Sequence, residues 1–139
     1  MSAVATAPWA LQAAVYDRLS QDVDLGQLIG APPRLFDVAP TKPVYPFVVF
    51  ADWKTTPLVG ADDGLAHEFR LRCYSRYEGR LESRAVMTAI YDALQDANLS
   101  VDGHDLVSLR FIFSDVFLSP DGQTWNGVMR FRAVTCSRP

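Results

Sequence analysis

The sequence predicts an α+β fold, a mainly antiparallel β-sheet with two principal helices packed on one face. The first observation is a pair of apolar runs, residues 105–118 and 125–136, which are rich in β-branched and aromatic residues and flank the turn Ser119-Pro-Asp-Gly-Gln. This pattern is typical of a long β-hairpin. The second observation is that residues 80–97 carry apolar side chains at helical spacing, which predicts a long amphipathic helix.

The other elements are predicted from the same periodicities. A first helix, with Pro8 in its first turn, carries Leu11, Val15 and Leu19 along one stripe. The remaining predicted elements are a short helix at 24–29, strands at 35–38, 47–56 and 65–77, and a further short strand at 98–101. Runs of strands in succession favour antiparallel pairing, so we expect the helices to lie on one side of the sheet.

Composition bounds the class of protein. The chain has 139 residues, 49% of them hydrophobic and 21% charged, which is enough to bury a core as one domain spanning residues 1–139. The formal net charge of -3 excludes a surface built throughout for nonspecific DNA binding, because such a surface would be basic. No apolar run approaches the roughly 20 residues that a membrane span requires.

The two cysteines are expected to be reduced. Cys73 and Cys136 each lie late in a predicted strand, and no secretory signal precedes residue 20. We therefore expect thiols within the sheet of a cytoplasmic protein rather than a disulfide or a metal site.

Few residues offer a metal site. His67 lies in mid-strand at an apolar position, and His104 lies in a turn beside Asp102 and Asp105. The histidines are far apart in sequence and have no Cys or Glu at ligand spacing, so we predict no metal.

Catalytic motifs are missing from the sequence as well. Ser75, Ser83 and Ser108 have no nucleophile-elbow context, and the Gly60–Gly64 loop holds two aspartates that would repel a phosphate. Those aspartates are adjacent on a loop, so their side chains splay apart and are expected to be solvated rather than paired as a general acid and base. We predict no enzyme activity, no catalytic residue and no cofactor.

The alternation within the strands separates arginine from the apolar residues. Arginine heavily outnumbers lysine, of which Lys42 and Lys54 are the only copies, and arginine suits fixed planar pairing at interfaces. The core-facing set is predicted to be Phe69, Leu71, Cys73, Leu109, Phe111, Phe113, Met129, Phe131 and Ala133. The opposite face is predicted to hold Arg70, Arg72, Arg76, Arg110, Arg130 and Arg132, with Glu68, Tyr74, Val128 and Val134 among them.

Two interpretations of this arginine face remain open. It is either the solvated side of an antiparallel sheet, which is common, or an oligomer interface or channel lining. The tryptophans are core or interface anchors; we expect Trp125, beside a turn, to be partly exposed and Trp9 to lie in the core.

Four segments together resemble the tail-terminator, or tail-completion, family of long-tailed phages and gene transfer agents. They are the helix at 11–19, the strand at 45–50, the strand at 67–76 that leads into the long helix, and the hairpin at 120–133. The likeness extends over roughly residues 9–134, and although no single motif is catalytic, the order and spacing are distinctive.

The resemblance implies a virion structural protein of a phage-like particle, assembled in the bacterial cytoplasm. In the family the protein forms a hexameric ring on the head-proximal end of a finished tail tube, ends polymerisation of the tube protein and offers the surface that joins the head connector or adaptor. DNA passes through the ring without being read, and no membrane is involved.

The resemblance also suggests residue roles. The loop docking on the tail tube would comprise Leu58, Val59, Gly60, Ala61, Asp62, Asp63 and Gly64. The arginines would pair with carboxylates across subunits or line the lumen, and Trp53 and Tyr74 would supply apolar contact. Because a lumen that conducts DNA should avoid tight phosphate binding, subunit pairing is favoured for most arginines.

The alternative function is a head–tail connector or adaptor subunit, or a minor tail protein, which the same surface chemistry would serve. A small enzyme is the third possibility.

Overall fold

A computed structural model of the chain describes residues 3–60 and 63–138. These residues form the helices α1 (Ala3–Ser20), α2 (Val23–Ile29) and α3 (Leu81–Leu94) and the strands β1 (Leu35–Phe36), β2 (Phe47–Pro57), β3 (Gly64–Ser75), β4 (His104–Leu118) and β5 (Trp125–Ser137). None of these helices is both long and apolar enough to cross a membrane.

The strands form one sheet in the order β1-β2-β3-β5-β4. Every neighbouring pair is antiparallel except β1 and β2, which are parallel over two residues. The α+β prediction is confirmed. The predicted strand at 98–101 is wrong, because that segment contributes only one bridge, from Val101 to His104.

The helices are set by apolar stripes and local capping. Leu11, Val15 and Leu19 of α1 are fully buried, as the periodicity predicts. Asp22 caps α2 by accepting a hydrogen bond from the amide of Leu25 at 2.9 Å. Pro8 lies inside α1 rather than in its first turn, since the helix begins at Ala3; the helix therefore forgoes the backbone hydrogen bond that proline cannot donate.

A row of aromatic rings crosses the core from the β2 edge to α3. Trp53 stacks on Phe69 at 4.5 Å between ring centroids, Phe69 lies 5.6 Å from Phe131, and Phe131 lies 5.9 Å from Phe111. Tyr91 of α3 meets Phe111 edge-on at 5.3 Å. Each such pair contributes about 0.5–1.5 kcal/mol beyond the burial of its area, so the row ties four strands and one helix together.

A β-bulge in β4 overturns one predicted core residue. Phe111 pairs with Phe131, but the next paired residue is Phe113, opposite Arg130, with an irregularity between the two. The extra residue reverses the alternation, so Phe113 lies on the arginine face and is 38% exposed. The prediction that Phe113 faces the core is wrong.

The prediction that Trp9 lies in the core is also wrong. Trp9 is 71% exposed on the outer side of α1, whose opposite stripe supplies the buried residues. Trp125 is half-buried, as expected for a residue that begins the strand after a turn.

Candidate functional site

Five of the six predicted arginines share one face of the sheet. Arg70 pairs with Arg130 across β3 and β5, and Arg132 lies between Glu68 on β3 and Arg110 on β4. Arg72 pairs with Val128 in the next row. Arg76 follows the end of β3, and the helices cover the opposite face.

The arginine face is basic although the whole chain is acidic. Its basic side chains outnumber its acidic ones by six to four: Lys54, Arg70, Arg72, Arg110, Arg130 and Arg132 against Asp52, Glu68, Asp105 and Asp115. The formal charge of the whole chain is -3. A local excess of positive charge on one surface attracts an anionic partner.

Intramolecular contacts engage only some of these arginines. Arg70 forms an ion pair with Asp52 at 3.4 Å, and the Arg130 guanidinium lies 5.2 Å from the centre of the Phe113 ring. Within residues 3–60 and 63–138, no carboxylate lies within ion-pair distance of Arg72, Arg110 or Arg132. These three remain available to a partner.

An aromatic cluster closes one end of the arginine face. Phe47 stacks on Tyr74 at 4.9 Å and meets Tyr45 edge-on at 5.2 Å. The Arg76 guanidinium covers the Tyr45 ring at 4.4 Å, and its Nε donates to Thr124 Oγ1 at 3.2 Å. Arg76 and Tyr74 therefore have partners within the subunit, whereas Trp53 lies on the other face in the aromatic row.

The sheet ends in two unpaired backbone segments. On one side β1 covers only Val48 and Val49 of β2, so residues 51–57 have no backbone partner on their outer side among the described residues. On the other side, the turn after α3 engages the outer edge of β4 at two residues: the Asp96 amide donates to the Leu109 carbonyl, and the Gln95 side chain accepts from the Phe111 amide. Residues 112–118 of β4 have no backbone partner on their outer side within the part of the chain that the structure describes.

The predicted tube-contact loop lies where β2 turns into β3. The Leu58 amide donates to the Gly64 carbonyl at 2.9 Å and closes the base of the loop, while Val59 is 99% exposed. Ala61 and Asp62 lie outside the described residues. The remaining members, Gly60 and Asp63, are exposed.

The sequence profile of the family described as Tail completion protein gp17 matches residues 13–136. The chain belongs to that family. The resemblance drawn from the sequence is confirmed, and this tail completion family member is a structural protein of a phage-like tail. A structural family argues against enzyme activity.

Solved structures add a relative from an assembled particle. Thirty chains are significantly similar to this one. Among them is a chain from the structure described as "Virion of native gene transfer agent (GTA) particle", with a TM-score of 0.85 and 26% sequence identity, covering 94% of this chain and 98% of that chain. No curated protein matches the chain significantly.

The sheet edges are the part of the candidate site that sequence reasoning missed. Which strand is outermost depends on the pairing order, and the caps from Gln95 and Asp96 depend on how the chain after α3 meets β4. The sequence does contain a partial signal, the large apolar residues Ile112, Phe117 and Leu118 near the end of one strand. In the structure these side chains are about 40–45% exposed, because they follow a β-bulge in an edge strand.

His67 is a buried polar residue of the core face rather than a ligand site. It is fully buried between two threonines, with Nδ1 at 2.9 Å from Thr55 Oγ1 and Nε2 at 2.8 Å from Thr135 Oγ1. Burial, and secondarily the nearby His104, lowers the pKa of His67 to about 4. No group of three potential metal-ligating side chains occurs within residues 3–60 and 63–138.

His67 makes stability depend on pH. The unfolded chain binds a proton at this site below about pH 6.5, whereas the folded chain does so only near pH 4. The stabilisation is therefore complete above pH 6.5 and is lost as the pH falls toward 4, by up to about 3 kcal/mol. Urea unfolding at pH 7, 5.5 and 4.5 should show this loss, and His67→Gln, which keeps a donor and an acceptor for the threonines, should reduce it. Parallel pH profiles for the two proteins would contradict this assignment.

Proposed function

We propose that the protein forms a ring that caps the head-proximal end of a phage-like tail tube, ends tube polymerisation and presents the surface that the head connector or adaptor joins. Family membership and the similarity to a chain of a gene transfer agent particle support a role in the tail. The observation that carries the ring is the pair of open sheet edges, because open edges recruit strands from other chains.

The two open segments have equal lengths and directions that suit antiparallel pairing. Each segment, 51–57 and 112–118, has seven residues. Three successive antiparallel pairings separate β2 from β4, so the two strands run in opposite directions. A β4 edge can therefore pair antiparallel with the β2 edge of an identically oriented second copy. Such head-to-tail contacts close into rings when the rotation between copies allows it.

Charge selects a register for this pairing. Setting Asp115 opposite Lys54 of the next copy places opposite charges in neighbouring positions and aligns the full length of both segments, from 112 opposite 57 to 118 opposite 51. Opposed charges across strands stabilise by roughly 0.2–1 kcal/mol. The same register sets Val116 beside Trp53, both on the helix face, so the apolar and polar faces stay aligned across the joint.

The fold also suggests which face lines the lumen. The helices occupy more space than the bare face, so closing the sheet with the helices outside gives them the larger circumference. The arginine face would then point inward. Arg70, Arg72, Arg130 and Arg132 lie on the central strands β3 and β5, away from both edges, which favours a lumen position for them. Arg110 lies on the edge strand β4, two residues before the open segment, and is the arginine nearest to the joint.

This division revises the sequence-based preference for subunit pairing of most arginines. The reason for that preference was that DNA must not bind tightly in a channel. The Arg70–Asp52 ion pair and the position of Glu68 between Lys54 and Arg132 supply carboxylates that weaken phosphate binding while leaving the lumen basic. We assign docking on the tail tube to the 58–64 loop, whose exposed Val59 lies at the end of the sheet.

Tube capping is the direct test. Tubes of the cognate tail tube protein should carry a ring at one end in negative-stain images after incubation with this protein, and these tubes should not lengthen when more tube protein is added. Mass measurement at rising protein concentration should identify the ring. Tubes incubated without the protein provide the control. Particles that bind only portal or adaptor protein and leave tubes uncapped would favour the connector function instead.

A further inference from the structure

Trp9 belongs to an exposed apolar surface on the β2 side of the fold. Trp9 and Tyr16, both exposed, project from α1 above the buried ring of Phe50 and line a hollow of about 290 Å³. Asp17 and Asp37 lie at its margin. A large exposed aromatic side chain at such a position is typical of an interface anchor.

A groove lies on the β4 side of the same face. It separates α3 from the open half of β4 and has a volume of about 280 Å³. Its lining residues are Arg84, Met87, Thr88 and Tyr91 of α3, Phe111, Ser114 and Val116 of β4, and Met129 of β5. This volume is below the roughly 300–1,000 Å³ of small-molecule sites and suits a single large side chain.

The hollow and the groove lie at opposite ends of one helix layer. Arg18 of α1 donates to the Ala93 carbonyl of α3 at 3.1 Å, so the two helices are neighbours. On the α1 side, Trp9 and Phe50 of β2 line the same hollow, and on the α3 side Tyr91 meets Phe111 of β4 edge-on. Head-to-tail pairing of sheet edges therefore brings α1 of one copy beside α3 of the next.

We propose that Trp9 of one subunit inserts into the groove between α3 and β4 of the adjacent subunit and forms the outer half of the ring contact. This inference rests on the ring proposed above. Edge pairing joins the sheets, and Trp9 joins the helix layers that cover them.

The chemistry of the two surfaces is complementary. Asp17 and Asp37 accompany Trp9, and Arg84 forms one wall of the groove, so opposite charges surround the apolar contact. Met87 and Met129 line the groove, and flexible thioether side chains adapt to an inserted ring and make favourable contacts with it. An indole is also a strong anchor because it buries a large area at low cost in conformational entropy.

Cross-linking between mixed subunits tests the contact. One subunit carries Ala13→Cys, on the hollow beside Trp9, and the other carries Thr88→Cys, in the groove; both carry Cys136→Ser. Cys73 stays, because burial raises its pKa to about 12 and keeps the thiol protonated. Rings assembled from both subunits on tail tubes should form a 13–88 disulfide under mild oxidation. The matched control replaces Ala13→Cys with Val23→Cys, at a residue of α2 that is 71% exposed.

The outcomes separate this inference from the proposed function. A 13–88 cross-link with no 23–88 cross-link supports the Trp9 contact. Capped tubes without the 13–88 cross-link, or with equal cross-linking at 23, overturn the Trp9 contact and leave the ring in place. Failure to cap tubes under any condition overturns both.

Removing the indole measures its contribution. Trp9→Ala should raise the protein concentration needed for half-maximal ring assembly by about 30-fold, as expected for an interface hot spot, and Trp9→Phe should restore part of the loss. Val23→Ala, equally exposed in the isolated subunit, should have no effect. Equal assembly by Trp9→Ala and the unsubstituted protein would overturn the contact.

Discussion

Phe131→Ala is expected to lower the free energy of unfolding by about 3–5 kcal/mol, enough to leave much of the protein unfolded at physiological temperature. Phe131 is fully buried, and its ring lies between those of Phe69 and Phe111 in the aromatic row. Truncation removes both ring contacts and leaves a cavity in the core on the helix-covered face of the sheet. Urea unfolding followed by circular dichroism measures the loss.

Phe113→Ala is the matched control, because it deletes the same side chain from the same hairpin. The β-bulge directs Phe113 to the arginine face, where it is 38% exposed and contacts Arg130, so we expect a loss below about 1 kcal/mol. Equal losses at 113 and 131 would contradict this assignment and would show that both rings face the core.

The contrast between these two phenylalanines shows what the sequence can predict. Strand alternation correctly assigned Phe111, Phe131 and five arginines to their faces, because a period of two holds wherever pairing is regular. It assigned Phe113 wrongly, because a bulge adds one residue between Phe111 and Phe113 and reverses the alternation without a local sequence signal.

Trp9 shows a second limit of sequence reasoning. Hydrophobicity favours burial, and the helical stripe of Leu11, Val15 and Leu19 identifies the core side of α1 correctly. Trp9 lies off that stripe, so the helical periodicity predicts that it is exposed, whereas its residue type predicts that it is buried. Residues at the centre of an interface are often as hydrophobic as core residues, although they are exposed in the isolated subunit. Residue type alone therefore cannot separate core from interface.

Phe117→Asp is expected to abolish ring formation while leaving the subunit folded. Phe117 is 41% exposed and lies within the open 112–118 segment, on the arginine face. In the proposed register it lies opposite Asp52 of the next copy, so the substitution removes an aromatic ring from the joint and sets two carboxylates face to face. We expect the protein concentration needed for half-maximal ring assembly to rise at least 100-fold, as measured by mass and by tube capping.

Val107→Asp controls for a charge introduced into the same strand. Val107 is 65% exposed but lies outside the open 112–118 segment, two residues before Leu109, whose carbonyl accepts from the Asp96 amide in the turn after α3. Assembly of this variant should match that of the unsubstituted protein, and both variants should keep the thermal unfolding midpoint of the parent within a few degrees. Normal rings from Phe117→Asp would exclude the β4 edge from the subunit joint.

A closed ring magnifies the effect of such a substitution. Every subunit carries the altered residue, so every joint is weakened at once, and the total loss is the loss per joint multiplied by the number of joints. Surface charge pairs of less than 1 kcal/mol can therefore decide whether a ring forms, although each would be negligible within one folded subunit. A modest, polar joint of this kind also permits the subunit to stay monomeric until the tail tube raises its local concentration at the tube end.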